Sequence, residues 1–303
     1  MTVTVVLTTC NRARFLQRAV QSVLAQTWTD FELIIVDNAS RDETPRIVKG
    51  FADPRIRYVR HAANLGGPAA RNTGIKQARG RYVAFLDDDD QWLPSKLEAQ
   101  VRKMEDAPPE VGLIYTGTEV IDEQTGALYR RYVPVFRGDV YQRLLMGTIL
   151  GSVSSVLVRR ACFDRVGFFD EELKSCQDWD MWLRLAEHVQ FDYVPEVLTR
   201  ISWHGKQIST DLRSLIPGRT RMVRKHRQRF QRYPEIYVIH LKRIGKLHCL
   251  NGTWAEAVGW FGRAIRVRPV EVIKIFGWAV WELPRLKLCS QEKTFRKMRP
   301  DED

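Results

Sequence analysis

The sequence predicts an α/β protein: a mostly parallel sheet flanked by helices, followed by a small all-helical region. Over the first two thirds of the chain, short β-branched and apolar runs alternate with stretches of helical periodicity, which is the pattern of successive βαβ units. Three of these runs end in polar clusters. Ligands of open α/β sheets bind beyond the carboxyl ends of the strands, so these clusters indicate a binding site.

The net charge of +12 lies entirely in the last third of the chain. Residues 214–303 hold 20 lysines and arginines against 8 acidic residues, whereas residues 1–213 are balanced. We therefore expect two domains, 1–213 and 214–303. The second should meet an anionic partner, which is a membrane surface, nucleic acid or an acidic protein.

Cysteine usage and the first residues predict a cytoplasmic protein. The five cysteines are odd in number and irregularly spaced, with no CxxC pair. This argues against a disulfide framework or a zinc site and for a reducing compartment. The strand-like run Val3 to Leu7 has no leader before it, so we expect no signal peptide. No apolar run reaches the roughly 18–20 residues that span a bilayer.

The first 90 residues contain four strand-like runs separated by helical patterns. The runs are Val3 to Thr8, Phe31 to Val36, Ile56 to Val59 and Tyr82 to Leu86. Apolar residues recur at helical spacing from Ala13 to Thr27. Ser40 and Glu43 have the spacing of a capping box, which predicts a helix from Arg41 to Phe51. The glycine-rich segment that begins at Asn64 predicts the start of a third helix.

Residues 91–204 continue this alternation with less regular spacing. We expect helices over 94–105, 140–146 and 177–188, strands over 113–116 and 152–158, a β-excursion around Gly126 and short strands over 189–201. Further on, 237–250 and 253–267 have the pattern of a tetratricopeptide-type helical hairpin joined at Asn251-Gly252. The apolar segment 270–283 is too short to span a bilayer, so it lies either at a membrane interface or against the hairpin.

The run Asp87 to Asp90 follows the fourth strand directly. Four adjacent carboxylates repel one another, and a cation removes that penalty. Mg²⁺ and Mn²⁺ take carboxylate oxygens, and Mg²⁺ sites often combine one or two carboxylates with substrate phosphates. The run therefore indicates either a metal–diphosphate site or a solvated acidic turn. Thr8 to Arg12 and Asp37-Asn38 follow two other strands, and Arg71 near the glycine-rich segment suits a phosphate.

Taken in order, these motifs resemble the nucleotide-sugar-binding half of family-2 glycosyltransferases, which have the GT-A fold. The motifs are Thr-Thr-Cys-Asn-Arg from residue 8, Ile-Ile-Val-Asp-Asn-Ala-Ser from 34, Asn-x-Gly-x-x-x-Ala-Arg-Asn-x-Gly from 64 and Phe-Leu-Asp-Asp-Asp-Asp-x-Trp from 85. Gln-Asp-Trp-Asp-Met-Trp-Leu-Arg from 177 is similar to a further segment of that family. The likeness covers about residues 1–210.

The resemblance implies a role for each matching residue. The donor would be bound by Thr8, Thr9, Asn11, Arg12, Asp37, Arg71, Asp87 and Asp88, with Asp37 on the base and the last two on the ribose and diphosphate. Asp89 would ligate Mn²⁺ or Mg²⁺ with help from His204, and Asp178 would be the general base. Three positions depart from the family pattern: Thr8 replaces a frequent Pro, Asn38 a frequent acidic residue, and Gln177 the usual Glu.

The implied activity is inverting, metal-dependent transfer of a sugar from a nucleotide-diphosphate sugar. We expect uridine as the base and a hexosyltransferase type of reaction. The acceptor would be a glycan or a lipid-linked glycan of cell-surface polysaccharide synthesis. That acceptor class favours an anionic membrane surface over nucleic acid as the partner of the basic region, with peripheral attachment on the cytoplasmic face.

Two other functions remain open from the residues alone. A nucleotidyltransferase would share the nucleotide–metal chemistry, but it normally has a glycine-rich basic loop after the first strand, where this chain has Thr9 to Arg14 without glycine. A non-enzymatic scaffold or nucleic-acid-binding protein would rest on the basic last third. Such a protein would show binding that falls steeply with salt.

Overall fold

The computed structural model describes residues 1–204 and 211–281. The chain divides into two compact units. The first comprises Met1–Leu144, Thr148–Glu172 and Gln177–His204. The second takes in Leu145–Gly147, Leu173–Cys176 and the described residues after His204.

The first unit is built on a sheet with the strand order β3-β2-β1-β4-β8-β6-β9-β5, and β7 pairs with β6. The strands are β1 Val3–Thr9, β2 Phe31–Asp37, β3 Ile56–Arg60, β4 Tyr82–Asp87, β5 Gln91–Trp92, β6 Val111–Asp122, β7 Leu128–Tyr132, β8 Val156–Arg159 and β9 Gln190–Trp203. The first four strands pair in parallel, as the βαβ pattern predicts. Beyond β4 the sheet is mixed, because β8 runs antiparallel to both β4 and β6 while β6 and β9 are parallel.

Helices cover the sheet of the first unit. They are α1 Ala13–Leu24, α2 Thr44–Lys49, α3 Gly67–Gln77, α4 Lys96–Asp106, α5 Tyr141–Met146, α6 Ala161–Val166 and α7 Gln177–Ala186. Leu7, Leu33 and Leu86 from three neighbouring strands join Leu16 of α1 and Leu97 of α4 in one fully buried cluster. This core fixes the strands whose carboxyl ends carry the polar motifs.

Three local predictions are wrong. The capping box does not form: α2 begins at Thr44, and Ser40 Oγ accepts a hydrogen bond from the backbone N–H of Asn11 (2.9 Å). Only the second half of the predicted strand 152–158 is extended, because the Ser152 side chain accepts from Ser154 N and starts a 3₁₀ turn. The short pieces predicted over 189–201 form one long strand, β9.

In the second unit, the described residues after His204 are mainly helical. Its helices are α8 Leu212–Lys225, α9 Arg227–Gln231, α10 Pro234–Leu250, α11 Trp254–Val267 and α12 Glu271–Trp281. The predicted hairpin is confirmed as α10 and α11, which pack so closely that a Cβ on Gly245 would meet Phe261 at 2.7 Å. His240 of α10 is buried with Nε2 2.6 Å from the Leu145 carbonyl oxygen, and burial lowers its pKa to about 3. The predicted end of the last apolar segment, Leu283, lies outside the described residues.

Candidate active site

The polar ends of β1, β2 and β4 lie side by side. In the parallel register, Thr9 pairs with Asp37 and Thr8 pairs with Asp87. The structure therefore brings together the three clusters that the sequence places at strand ends. Each of them follows a buried, β-branched or aliphatic strand whose position the core determines.

The end of β2 is closed around Asp37. This carboxylate is fully buried and accepts hydrogen bonds from Ser40 N (2.7 Å) and Tyr58 Oη (2.5 Å), with Arg60 Nε at 3.5 Å. Burial, followed by the bond to Asp37, raises the pKa of Tyr58. Asp37 thus lies where the sequence predicts, but its carboxylate has no exposed surface.

Asn38 connects the end of β2 to the glycine-rich loop, a contact that the sequence did not predict. Its Nδ2 donates to Asn64 Oδ1 (2.7 Å), and its Oδ1 accepts from Leu65 N (2.9 Å). His61 Nδ1 lies 3.0 Å from the same Oδ1. An amide both donates and accepts, so it makes a set of bonds that the acidic residue frequent at this position in the family cannot make.

The loop after β1 is held by its backbone conformation and by the β2 end. Asn11 adopts a left-handed conformation (φ 54°), which asparagine tolerates better than most residues. Its Oδ1 accepts a hydrogen bond from Arg41 N at 2.7 Å. Of the predicted donor residues here, Thr8 and Thr9 are the last two residues of β1, where Thr9 is buried and Thr8 is partly exposed, and Asn11 in the loop is exposed.

Arg12 and His204 converge on the acidic turn. Arg12 Nη1 donates to Asp89 Oδ2 (2.7 Å) and to Asp88 Oδ1 (3.2 Å). His204 Nε2 lies 3.0 Å from the same Asp89 oxygen, and its ring packs on Phe15 with 5.3 Å between centroids. Two residues predicted for the donor and two predicted for the metal therefore form one cluster.

Arg71 forms an ion pair with Asp87, and the charges of both act on Asp178. Arg71 is buried, and its Nη2 donates to Asp87 Oδ1 at 2.6 Å. Asp178 lies in the first turn of α7, near enough to Arg71 and Asp87 that both influence its ionisation. Burial raises the pKa of Asp178, while the backbone N–H of Trp179 and the Arg71 guanidinium oppose that rise. A carboxylate with a raised pKa beside a phosphate-binding type of cation suits proton abstraction.

Ser154 binds two residues of the acidic turn. No sequence motif predicted this role for Ser154. Its Oγ donates to Asp90 Oδ2 (2.6 Å) and accepts from Asp87 N (3.1 Å), while its carbonyl accepts from Trp92 Nε1 (2.7 Å). Burial, then the charges of Asp89 and Asp87, raise the pKa of Asp90 well above its ordinary value. Asp90 is therefore tied into the protein rather than turned toward a ligand.

Asp89 and His204 are the residues of this site that would hold a divalent cation. Asp89 and His204 offer a carboxylate oxygen and an imidazole nitrogen at one point, and manganese accepts both ligand types. Within residues 1–204 and 211–281, no group of three or more His, Cys, Asp or Glu side chains gathers for a metal. Two protein ligands completed by phosphate oxygens match sites that bind a metal together with its nucleotide. Arg12 competes with such a cation for Asp89.

Comparison with known proteins points to one family. Residues 4–167 match the family model described as Glycosyl transferase family 2. Uncharacterized glycosyltransferases of Rickettsia felis and Rickettsia prowazekii are 31% and 32% identical to this chain, each over 68% of it. These matches span only 35% and 65% of the two relatives' own lengths. The putative colanic acid biosynthesis glycosyl transferase WcaA of Escherichia coli K12 is 29% identical over 78% of this chain and 85% of its own.

Solved structures share the fold. S. aureus TarS 1–349 in complex with UDP-GlcNAc matches with a TM-score of 0.66 and 17% identity, covering 88% of this chain and 83% of its own. The mannosyltransferase PcManGT from Pyrobaculum calidifontis, in complex with GDP-Man and Mn²⁺, matches with a TM-score of 0.58 and 17% identity over 97% and 84% of the two chains. The predicted GT-A-type architecture with additional C-terminal helices is confirmed.

Proposed function

The chain belongs to glycosyltransferase family 2, and from that membership we propose that it transfers a sugar from a nucleotide-diphosphate sugar to an acceptor hydroxyl. The donor is a UDP-sugar, and the reaction is of the hexosyltransferase type with inversion at the anomeric carbon. The acceptor is a glycan or lipid-linked glycan of cell-surface polysaccharide synthesis. TarS, whose structure holds UDP-GlcNAc, and WcaA, named for colanic acid biosynthesis, support these choices.

The observation that carries the proposal is the cluster of Asp178, Arg71 and Asp87. Asp178 takes the proton of the acceptor hydroxyl, and the oxygen attacks the anomeric carbon from the face opposite the diphosphate. The bond from that carbon to the diphosphate oxygen breaks, and the nucleoside diphosphate leaves. The raised pKa of Asp178 makes it a stronger base than an ordinary aspartate.

The donor lies across the carboxyl ends of β1, β2 and β4. Arg71 and Arg12 meet the diphosphate, and Asp87 and Asp88 face the ribose and diphosphate. Thr8, Thr9 and Asn11 shape the base pocket together with Asp37. Because Asp37 is fully buried, it contacts the base only if Tyr58 or Arg60 moves aside.

Asp89 and His204 would hold Mn²⁺ or Mg²⁺ in this site. The bound cation neutralises charge that develops on the leaving diphosphate. PcManGT, whose structure holds GDP-Man and Mn²⁺, supports this assignment by analogy of fold. We also place the protein on the cytoplasmic side, with its basic second unit against an anionic membrane surface rather than nucleic acid.

A screen of nucleotide sugars with Mn²⁺ tests this function. A ligand that binds the folded state raises the apparent unfolding temperature by mass action, so the donor should stand out and should be slowly hydrolysed. Asp178→Asn should keep the donor-induced stabilisation and lose hydrolysis and transfer, whereas the exposed Asp164→Asn should retain all three.

The products distinguish the alternatives. Release of nucleoside diphosphate supports sugar transfer, and release of pyrophosphate would identify a nucleotidyltransferase instead. Normal turnover by Asp178→Asn would overturn the assignment of the base. The absence of stabilisation by any nucleotide sugar would overturn the proposed function as a whole.

A further inference from the structure

Helix α12 presents one apolar face that is exposed in the described part of the chain. Ile273 is 76% exposed, Phe276 70% and Val272 49%, and Val270 just before the helix is 61% exposed. Positions 272, 273 and 276 lie within one side of a helix. Exposed apolar side chains grouped in this way mark an interaction surface, whereas isolated ones are common.

The other side of α12 packs on the hairpin, and this packing sets the position of the helix. Glu271 is buried and forms an ion pair with Lys242, with 2.6 Å between Nζ and Oε2. Trp278 packs on Phe261 with 6.0 Å between ring centroids, and Lys246 lies 5.0 Å from the Trp278 centroid. Because the opposite side of α12 packs on the α10–α11 hairpin, the apolar face points away from the hairpin. In its described residues the helix therefore packs on the hairpin with one side and exposes the other.

The part of the chain that carries this face is rich in cations. Residues 211–281 hold 15 lysines and arginines against 4 acidic residues. Three exposed cations come from the same stretch of chain: Arg263 and Arg266 of α11 and Lys274 of α12. A second copy of this unit would bring like charge against like charge, which disfavours self-association through this face. An anionic lipid surface offers headgroup charge for the cations and an acyl boundary for the apolar side chains.

The length of the helix fits an interfacial position. Its eleven residues extend about 16 Å, which is well short of the hydrocarbon thickness. No helix within the described part of the chain is long and apolar enough to cross a membrane. A short helix with one apolar side and cationic neighbours lies along the bilayer surface.

We propose that the exposed face of α12, formed by Val272, Ile273 and Phe276, docks the protein on anionic membranes by inserting into the headgroup region. The inference rests on the proposed membrane location and assigns it to particular residues. Docking at this surface keeps the enzyme in the layer where a lipid-linked acceptor is found. Neither the donor site nor the chemistry of transfer depends on it.

Flotation of the full chain with lipid vesicles tests the proposal. Vesicles of phosphatidylcholine with about 30% phosphatidylglycerol should carry the protein, and pure phosphatidylcholine should carry much less. The double variant Ile273→Glu and Phe276→Glu should lower the partition onto anionic vesicles at least about tenfold. Val135→Glu, at an exposed apolar position of the first unit, is the matched control and should bind as wild type does.

A second variant and a second readout keep the result interpretable. Phe276→Trp should bind at least as tightly as wild type, because indole favours the interface. Each variant should keep the donor-induced thermal stabilisation, so loss of docking is separate from failure of the proposed function. Equal vesicle binding by the double variant would overturn the proposal. The proposal would also be overturned if the wild-type protein were a dimer without lipid, the double variant were a monomer, and both bound vesicles equally. That result would identify a second copy of the chain as the occupant of the face.

Discussion

Strands β2 and β4 both end in aspartate, but the protein treats the two charges differently. Asp37 at the end of β2 is fully buried and has hydrogen bonds from Ser40 N and Tyr58 Oη. At the end of β4, three of four consecutive carboxylates pair with the guanidinium groups of Arg12 and Arg71, and the fourth, Asp90, accepts a hydrogen bond from Ser154 Oγ. Asp37 has a structural role, since its buried carboxylate is bound by groups of the protein itself. The end of β4 has more carboxylates than arginines, and such an excess of negative charge favours the binding of a cation.

The ionisation of the acidic turn expresses this difference. Burial raises the pKa of Asp88 to about 7, although Arg12 opposes the rise, and burial also raises the pKa of Asp90 well above its ordinary value. These carboxyls therefore resist carrying their full charge. A protein that needed only a stable turn would be better served by fewer carboxylates, so the cluster indicates function.

The largest expected effect is on catalysis, through Asp89→Asn. Removing the carboxylate that faces His204 and Arg12 should lower the transfer rate at least about 10³-fold, since metal stabilisation of a leaving group contributes several kcal/mol. The folded state should lose little stability, because a like charge is removed from the turn. Initial rates over a range of Mn²⁺ concentrations measure the effect. Full activity at saturating Mn²⁺ would show that Asp89 is not a ligand.

Asp37→Asn should affect the stability of the folded protein more than its activity, in contrast to Asp89→Asn. The amide presents a donor where Tyr58 Oη and Arg60 now donate, so we expect a loss of about 1–3 kcal/mol in the free energy of unfolding. Urea denaturation at neutral pH measures it, and Tyr58→Phe, which removes one hydrogen bond, should cost about 1 kcal/mol. If Asp37→Asn weakened donor binding at unchanged stability, the main role of Asp37 would be to bind the donor, and its structural role would be minor.

Arg12→Gln tests whether the acidic turn lacks positive charge. The variant leaves Asp88 and Asp89 without their shared guanidinium, and we expect the metal-free protein to lose about 1–2 kcal/mol, because the pair is partly exposed. Mn²⁺ should then stabilise the variant more than it stabilises wild type. The control is Arg14→Gln, whose side chain is mostly exposed and 3.7 Å from Glu123. Equal stabilisation of both proteins by Mn²⁺ would contradict the expectation.

The smallest expected effect is a displaced pH profile. Burial raises the pKa of Asp178 above the ordinary 3.8, and the base must be ionised to act, so kcat/KM should fall as the pH is lowered through that raised pKa. The sign for stability is the reverse. Protonation relieves a buried charge, so the contribution of Asp178 is fully present below the unfolded pKa and is lost as the pH rises through the folded pKa. Rate profiles and unfolding curves at several pH values measure both trends, and an acid limb at the ordinary aspartate pKa would contradict them.

Much of the fold and site follows from local sequence, and the exceptions have a common cause. The runs that became β1, β2 and β4 are apolar and end in polar residues, so their type and their shared edge are predictable. Ser40 illustrates the limit: its spacing to Glu43 is that of a cap, but the backbone N–H of Asn11 takes its hydroxyl. Neither the role of Ser154 nor the contacts of Asn38 could be predicted, because both side chains bond to residues distant in the chain. Contacts of this kind depend on the tertiary structure.

The pairing of β1 with β4 also affects the order of assembly. Thr8 and Asp87 are far apart in the chain, so this pairing closes a long loop, and such contacts form slowly. We therefore expect the carboxylates to meet Arg12 once β4 has joined the sheet. Repulsion that appears so late shortens the lifetime of the finished sheet more than it delays its formation. A ligand that neutralises the turn should therefore lower the unfolding rate of the protein and change its folding rate little.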